Sequence, residues 1–406
     1  MADLMTNDRK PRGTLLERTW EWDGEVAIPN PRYRRPCRYD SFVPEPLTGL
    51  PPIEPDVAGA ISRAESAIQQ LNHAAQPGLQ PLARLLLRTE SIASSKVEGM
   101  QMDARTLARA EARSDLGYSV GTEAVEILAN IDAMQLAVGE AAEVEEVTLG
   151  HVIATHHALL ARAGNADRVA GKVRVRQNWI GGNDFNPCGA SFVPPPPERV
   201  LPLLDDLVRF VNDEALPPLA QAAIAHAQFE TIHPFEDGNG RTGRALVQVI
   251  LRRRHLAPEY VPPVSIVLAA DKQTYIEGLI AFREGRDGTW LEMFANAAAR
   301  AADLAAAYLV EVQNLQDRWR DQLAPLNLRR DAAAWKVIDV LPAHPIISVP
   351  VAVTATGRAK AAVQQAFDAL AKMEVLIPLS SGKRNRQWEA LGLLELSADF
   401  ENVPAR

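Results

Sequence analysis

Residues 233 to 244 read His-Pro-Phe-Glu-Asp-Gly-Asn-Gly-Arg-Thr-Gly-Arg, and the residue types best suited to chemistry are concentrated there. Pro234 must end a helix arriving from the N-terminal side, just after His233. Gly238 and Gly240 let the chain turn with positive φ and leave bare N–H groups. The loop then feeds a second helix, whose first N–H groups and positive dipole end attract anions. Arg241 and Arg244 fall three residues apart in its first turn, on one face. Cations are disfavoured at that end of a helix, a conflict that an anionic ligand relieves. Asp237 offers the hard oxygen that magnesium prefers. His233 is the group in this segment able to take a proton near neutral pH. The segment therefore predicts a phosphate-handling site with a metal and a general base.

Rival motifs fail on context. Gly238-Asn-Gly240-Arg-Thr-Gly243 matches G-x-G-x-x-G, but a dinucleotide site needs a strand before it and an acidic residue about 20 positions on. Here a helical pattern and a proline precede it, and Arg252, Arg253 and Arg254 follow. There is no G-x-x-x-x-G-K-[ST] phosphate loop and no kinase H-R-D with D-F-G. His226 and His233 lie seven residues apart on one helical pattern, about two turns, so they do not read as a metal pair.

The elements around the loop follow from apolar periodicity. Helices are predicted over 56–72 and 81–97, with Pro77 and Gly78 between them and Gly99 as a C-terminal cap. A helical pattern runs over 119–163, broken by a turn. Residues 169–193 alternate apolar and basic side chains and then meet Gly-Gly-Asn-Asp, a hairpin signal closed by four prolines. Further helices are predicted over 198–212, 219–232, 241–254, 272–283 and 290–323. The first 50 or so residues, rich in proline, arginine and aromatics, predict an extended, irregular arm. The last 75 or so residues predict helices over 332–340, 348–354 and 358–372, then a two-stranded wing turning at 380–385. That order is helix-turn-helix-wing.

The segment from His233 to Arg244 resembles the full signature of the Fic family, H-P-F-x-[D/E]-G-N-G-R-x-x-R. Fic proteins mostly move AMP from ATP onto a Ser, Thr or Tyr hydroxyl of a protein. The resemblance implies that His233 deprotonates the target hydroxyl and that Asp237 holds the magnesium. It implies that Gly238, Asn239, Gly240, Arg241, Thr242, Gly243 and Arg244 bind the ATP phosphates, and that Phe235 anchors the loop. Ser94, Glu98 and Gly99 resemble the family's inhibitory motif [S/T]-x-x-x-E-[G/N], which implies that Glu98 pairs with Arg244 and restrains ATP. The hairpin resembles the family's flap, over which a protein target (or the chain itself) adds between Val173 and Ile180. Tyr275 falls where family members often place an adenine-pocket or core aromatic, and Trp290 where they place a core one. The implied fold is mainly α: a Fic helical bundle with a β-hairpin flap and a C-terminal winged helix. The implied divisions are an N-terminal region with inhibitory helix (1–117), a catalytic core (118–300), a connecting helix (301–330) and a winged-helix-like domain (331–406). The leading expectation is a self-inhibited protein adenylyltransferase using ATP and Mg2+. The same site run in reverse, removing AMP, stays open, as does a DNA-binding regulator with a sensory Fic site.

Composition sets the remaining bounds. The 406 residues carry a net charge of -8, with 47% hydrophobic and 23% charged residues, so bulk charge does not call for nucleic acid. From Asp331 onward the Lys+Arg and Asp+Glu counts balance, although Arg358, Lys360, Lys383, Arg384 and Arg386 could form a local basic face. DNA binding by the tail and a homodimer are both left open. No long apolar run predicts a membrane span. The polar opening residues do not read as a signal peptide. Cys37 and Cys188, far apart in sequence, fit a reducing compartment, so a cytoplasmic setting is expected.

Overall fold

A computed structural model describes residues 10–24, 27–47, 53–73, 80–141, 143–379, 385–402 and 404. The predicted break at Pro77 and Gly78 lies outside these residues, as do Lys383 and Arg384. In chain order the elements are β1 (Gly13–Trp20), β2 (Cys37–Pro44), α1 (Pro55–His73), α2 (Gln80–Val97), α3 (Ala104–Asp115), α4 (Thr122–Ala141), α5 (Leu149–Leu160) and α6 (Ala166–Val169). Then come α7 (Pro197–Asn212), α8 (Pro218–Ile232), α9 (Asn239–Arg253), α10 (Val264–Ala270), α11 (Lys272–Arg283) and α12 (Asp287–Leu323). The chain ends with α13 (Ala333–Val340), β3 (Ile346–Ser348), α14 (Val349–Thr356), α15 (Lys360–Lys372), β4 (Leu376–Pro378), β5 (Gln387–Ala390) and α16 (Leu393–Glu401). The chain forms two discontinuous compact units. One gathers 1–62, 136–254 and 273–296; the other gathers 63–135, 255–272 and 297–406.

The first unit is built around α8. Every residue of α8 after Pro218 is buried, the mark of a helix enclosed on all sides. It packs against α7, α9 and β2. The arm is not irregular: β1 and β2 pair antiparallel from Gly13 opposite Pro44 to Trp20 opposite Cys37. The amide of Phe42 donates to the carbonyl of Val193 at 2.9 Å, and Ser41 Oγ donates to Pro194 O at 2.7 Å. Cys37 and Cys188 form a disulfide with Cα atoms 6.1 Å apart. This corrects the reading of two separate thiols, because folding brings together positions that sequence distance kept apart. The pairing also weighs against a reducing setting.

The expected two-stranded hairpin at 169–193 is also corrected. Only an isolated antiparallel bridge forms there among the described residues, between Ile180 and Phe192. Gly181 and Gly182 do turn the chain, at φ +76° and +78°, where an added Cβ on Gly181 would meet Ser191 Oγ at 2.5 Å. After them the amide side chain of Asn183 caps the loop by accepting from the N–H of Phe185 and of Asn186. Those side-chain bonds compete with a strand ladder.

In the second unit α2 packs along α10. Glu90, 1% exposed, accepts from the N–H and hydroxyl of Ser265 at 2.9 and 2.6 Å. Asn130 Nδ2 donates to Ser91 O at 2.7 Å and Ser95 Oγ at 3.1 Å. Ile92, Leu107, Ile127, Leu128 and Ile131 form an apolar cluster joining α2, α3 and α4. Helices α13, α14 and α15 pack on one another beside an antiparallel sheet of order β3-β5-β4. No helix among the described residues is long and apolar enough to cross a membrane.

Candidate active site

The site is the turn from α8 into α9. Helix α8 stops at His233, which adopts the left-handed conformation at φ 50° and ψ 61°, its N–H bonded to Phe229 O at 2.9 Å. Pro234 enforces that stop by excluding right-handed helix at the residue before it. The His233 side chain is 19% exposed, and its Nδ1 lies 3.9 Å from Glu230 Oε2.

Asn239 closes the loop. Its Oδ1 accepts from the Phe235 N–H and its Nδ2 donates to the Phe235 carbonyl, both at 2.9 Å. Helix α9 starts at Asn239, two residues earlier than the periodicity predicts, so one residue is both helix start and loop clamp. Its side chain is thereby committed to the loop and shapes the cradle from behind. Gly238, at φ +77°, is the N-cap and supplies no side-chain cap. The first N–H groups of α9 therefore face outward.

Arg241 and Arg244 are 3% and 2% exposed, buried at the positive end of a helix. Arg241 Nη2 is 3.6 Å from Asp237 Oδ1, while Arg241 Nε and Nη1 are buried without a hydrogen-bond partner among the described residues. Leaving buried guanidinium N–H groups unmet costs on the order of 1–3 kcal/mol each. An anionic ligand at the start of α9 would satisfy them. The Asp237 side chain is 64% exposed and presents a hard oxygen beside it. No cluster of three or more His, Cys, Asp or Glu able to hold a metal exists among the described residues. A single carboxylate fits magnesium, which commonly takes one or two carboxylates and completes its shell with phosphate oxygens and water.

Gly243 and Tyr275, both expected at the nucleotide, are closely packed by neighbouring side chains. Gly243 faces α8: an added Cβ would stand 3.0 Å from Phe229 Cδ1 and 3.1 Å from Glu230 Oε1. Tyr275 is 5% exposed, its hydroxyl 2.8 Å from His226 Nε2 and its ring beside Trp290. Of the two places expected for Tyr275, adenine pocket or core, its burial accords with the core one. Trp290, fully buried with its N–H on Ala223 O, is core as expected. Thr242 is 2% exposed, and its Oγ1 has no partner among the described residues. In the second unit, Ser94 is fully buried on α2 and Gly99 caps that helix at φ +89°, with exposed Glu98 between them in sequence.

Periodicity alone did not single out two residues that hold the loop. His156 of α5 is fully buried and stacks on Phe235, centroids 3.6 Å apart and 4° between planes. Its Nδ1 accepts from the Gly171 N–H at 3.0 Å, which leaves Nε2–H to donate to Asp237 O at 2.9 Å. The available signal was a histidine in register with Val152 and Leu159 on an apolar face, where a buried ring must find partners. Arg174, one of the basic residues of the 169–193 alternation, is 3% exposed. It donates to the carbonyls of His233 at 2.8 Å, Ile232 at 3.3 Å and Pro195 at 2.6 Å. Its neighbour Val175 is 83% exposed.

Burial pushes the His156 ring down to about 4, from an ordinary value of 6.5. The folded state thus holds His156 neutral, while the unfolded chain protonates it below about 6.5. Its contribution is present above pH 6.5 and lost as pH falls towards 4. Wild type is expected to lose up to about 3 kcal/mol across that window from this group. His156→Phe, which keeps the stack and removes the titration, is expected to flatten the acid limb in thermal melts. An unchanged limb would refute this role.

Comparison with known proteins agrees with this geometry. Residues 146–251 match the Fic/DOC family and residues 58–139 its N-terminal domain. The chain is 40% identical over 124 residues to protein adenylyltransferase fic-1 of Caenorhabditis briggsae, covering 30% of this chain and 22% of that one. It is 28% identical over 212 residues to protein adenylyltransferase Fic of Drosophila melanogaster, covering 50% of this chain and 36% of that one. The chain thus spans well under half the length of these curated relatives. A solved Fic family protein from Desulfovibrio desulfuricans shares the fold at a TM-score of 0.50 and 20% identity, covering 84% of this chain and 98% of that one. Fic-1 from Caenorhabditis elegans does so at 0.50 and 20%, covering 63% and 73%.

Proposed function

Because the chain carries the Fic/DOC domain and the family's N-terminal domain, we propose that it is a protein adenylyltransferase, moving AMP from ATP to a protein hydroxyl. The observation that carries this reading is the buried Arg241, with N–H groups unmet, at the uncapped start of α9. A triphosphate supplies the charge that this end of the helix lacks. Arg241 and Arg244 neutralise the β- and γ-phosphates, and the first N–H groups of α9 orient them. His233 accepts the proton of the target hydroxyl. That oxygen bonds to the α-phosphorus, the bond from α-phosphorus to the bridging oxygen breaks, and pyrophosphate carries the electron pair away. Positioning and charge neutralisation supply the catalysis. Asp237 would hold Mg2+, which when bound neutralises phosphate charge.

The target segment adds along the flap near exposed Val175, with Arg174 tying that stretch to the carbonyl of His233. Glu98 restrains the reaction by pairing with Arg244. The functional divisions are 1–117 for regulation, 118–300 for catalysis, 301–330 as connector and 331–406 as a winged helix. A cytoplasmic setting has only the sequence reading behind it, and the Cys37–Cys188 disulfide counts against it.

ATP labelled at the α-phosphate is expected to label protein, whereas ATP labelled at the γ-phosphate is not. Incorporation from the γ-phosphate would replace adenylylation with phosphorylation.

A further inference from the structure

The 331–406 tail has balanced formal charge, yet one surface cavity of about 440 Å³ in it gathers hydrogen-bond donors. Ser348, Lys360, Arg386 and Trp388 line it, together with the first residues of α14. Lys360 and Arg386 are exposed, and neither forms an ion pair with a described residue. The Arg386 guanidinium lies 4.7 Å over the Trp388 ring, which holds it at the cavity. Asp368 also lines the cavity, eight residues and about 12 Å along the α15 axis from Lys360, and forms no ion pair with a described residue.

The α14 start adds a second, independent observation. Ser348 is its N-cap, 4% exposed, yet makes no capping hydrogen bond, and its Oγ has no partner among the described residues. Gln387, opposite Ser348 in the β3–β5 register, has a buried Nε2 that is likewise unmet. At the start of α14 Val349 and Val351 carry N–H groups without an intrahelical acceptor, while Pro350 has none to offer. Two cations, a helix start and the unmet Ser348 hydroxyl thus converge on one cavity, and the matching ligand is an oxyanion of the phosphate class.

The source of that phosphate follows from the neighbouring helices. Gly357, at φ +64°, turns α14 into α15, and the exposed start of α15 carries Lys360 and then Gln364. In a helix-turn-helix the second helix meets base edges while the first meets the backbone. Phosphate contacts of this kind set register without reading sequence. We infer that this cavity seats a backbone phosphate of duplex DNA, held by Ser348, the start of α14, Lys360 and Arg386. The inference is independent of the adenylyltransferase reading.

The test is fluorescence anisotropy of the full chain with a short labelled duplex of random sequence, titrated across salt. Binding is expected with Kd on the order of 10⁻⁴–10⁻⁶ M, weakening as salt rises. Lys360→Ala and Arg386→Ala are each expected to lower the salt slope by about 1. Ser348→Ala is expected to weaken binding severalfold with an unchanged melting temperature, since its hydroxyl caps nothing. Pyrophosphate is expected to compete with the duplex. Absence of duplex binding at low salt, or binding unmoved by both cation variants, overturns the inference. Saturable pyrophosphate binding that Lys360→Ala and Arg386→Ala weaken, without duplex binding, also overturns it, by making the cavity a free-anion site.

Discussion

Replacing His233 with alanine is expected to lower incorporation of α-phosphate label by roughly 10²–10⁴-fold, the range for losing a positioned general base. The expectation rests on where the ring is held. His233 is pinned at φ 50° by Pro234, by its N–H bond to Phe229 and by Arg174 on its carbonyl. The backbone is therefore fixed by groups other than the side chain, and truncation at Cβ should leave the loop in place. Binding should survive, because the α9 N–H groups, Arg241 and Arg244 carry the phosphate contacts. Calorimetry with ATP separates the two effects: a kcat loss with near-normal affinity supports the base role. Label that persists in His233→Ala would sink the enzymatic reading itself.

The second large effect has the opposite sign. Glu98→Gly is expected to raise AMP transfer roughly 10- to 100-fold, the size of one released charge-assisted hydrogen bond. The substitution is mild for the fold, because Glu98 follows the last residue of α2 and is exposed. The α2 helix keeps its anchors, Glu90 on Ser265 and Asn130 on Ser91. Glu98→Gln separates charge from shape: it keeps the side chain's length and removes the pairing, so it too is expected to activate. If neither variant exceeds wild type in labelled-ATP assays, the inhibitory assignment of Ser94, Glu98 and Gly99 fails. Labelled bands from the Glu98→Gly variant in lysate would identify the target.

Much of the catalytic loop was legible because its residues restrict their own backbone. Pro234 and Gly238 each permit few conformations, so the stop, the turn and the helix start follow from local rules. Helices α8 and α11 likewise follow from periodicity. What escaped depends on distant partners. Pairing of β1 with β2 places Trp20 opposite Cys37, and no local rule reports that within a proline-rich arm. The flap failed as a hairpin because Asn183 satisfies backbone N–H groups with its side chain. Helix α3 and strand β3 carry only weak patterns and are held by contacts between Ala108, Ala112, Ile346 and Leu394. His156 and Arg174 gain meaning only where α5 and the flap reach the loop. The bonds from the Asn239 side chain to the Phe235 backbone likewise depend on how the loop closes and carry no local signal.

The Cys37–Cys188 bond has a topological consequence. With its ends 151 positions apart in sequence, it closes more than a third of the chain into a covalent ring. The ring contains α2 and Glu98, whereas His233 lies on the open strand beyond it. Ring closure of this size removes about 5 kcal/mol of chain entropy from the unfolded ensemble. A single protease cut within residues 38–187 opens the ring without dividing the molecule. Helix α2 and the loop of His233 therefore stay on one covalent body until a reductant acts.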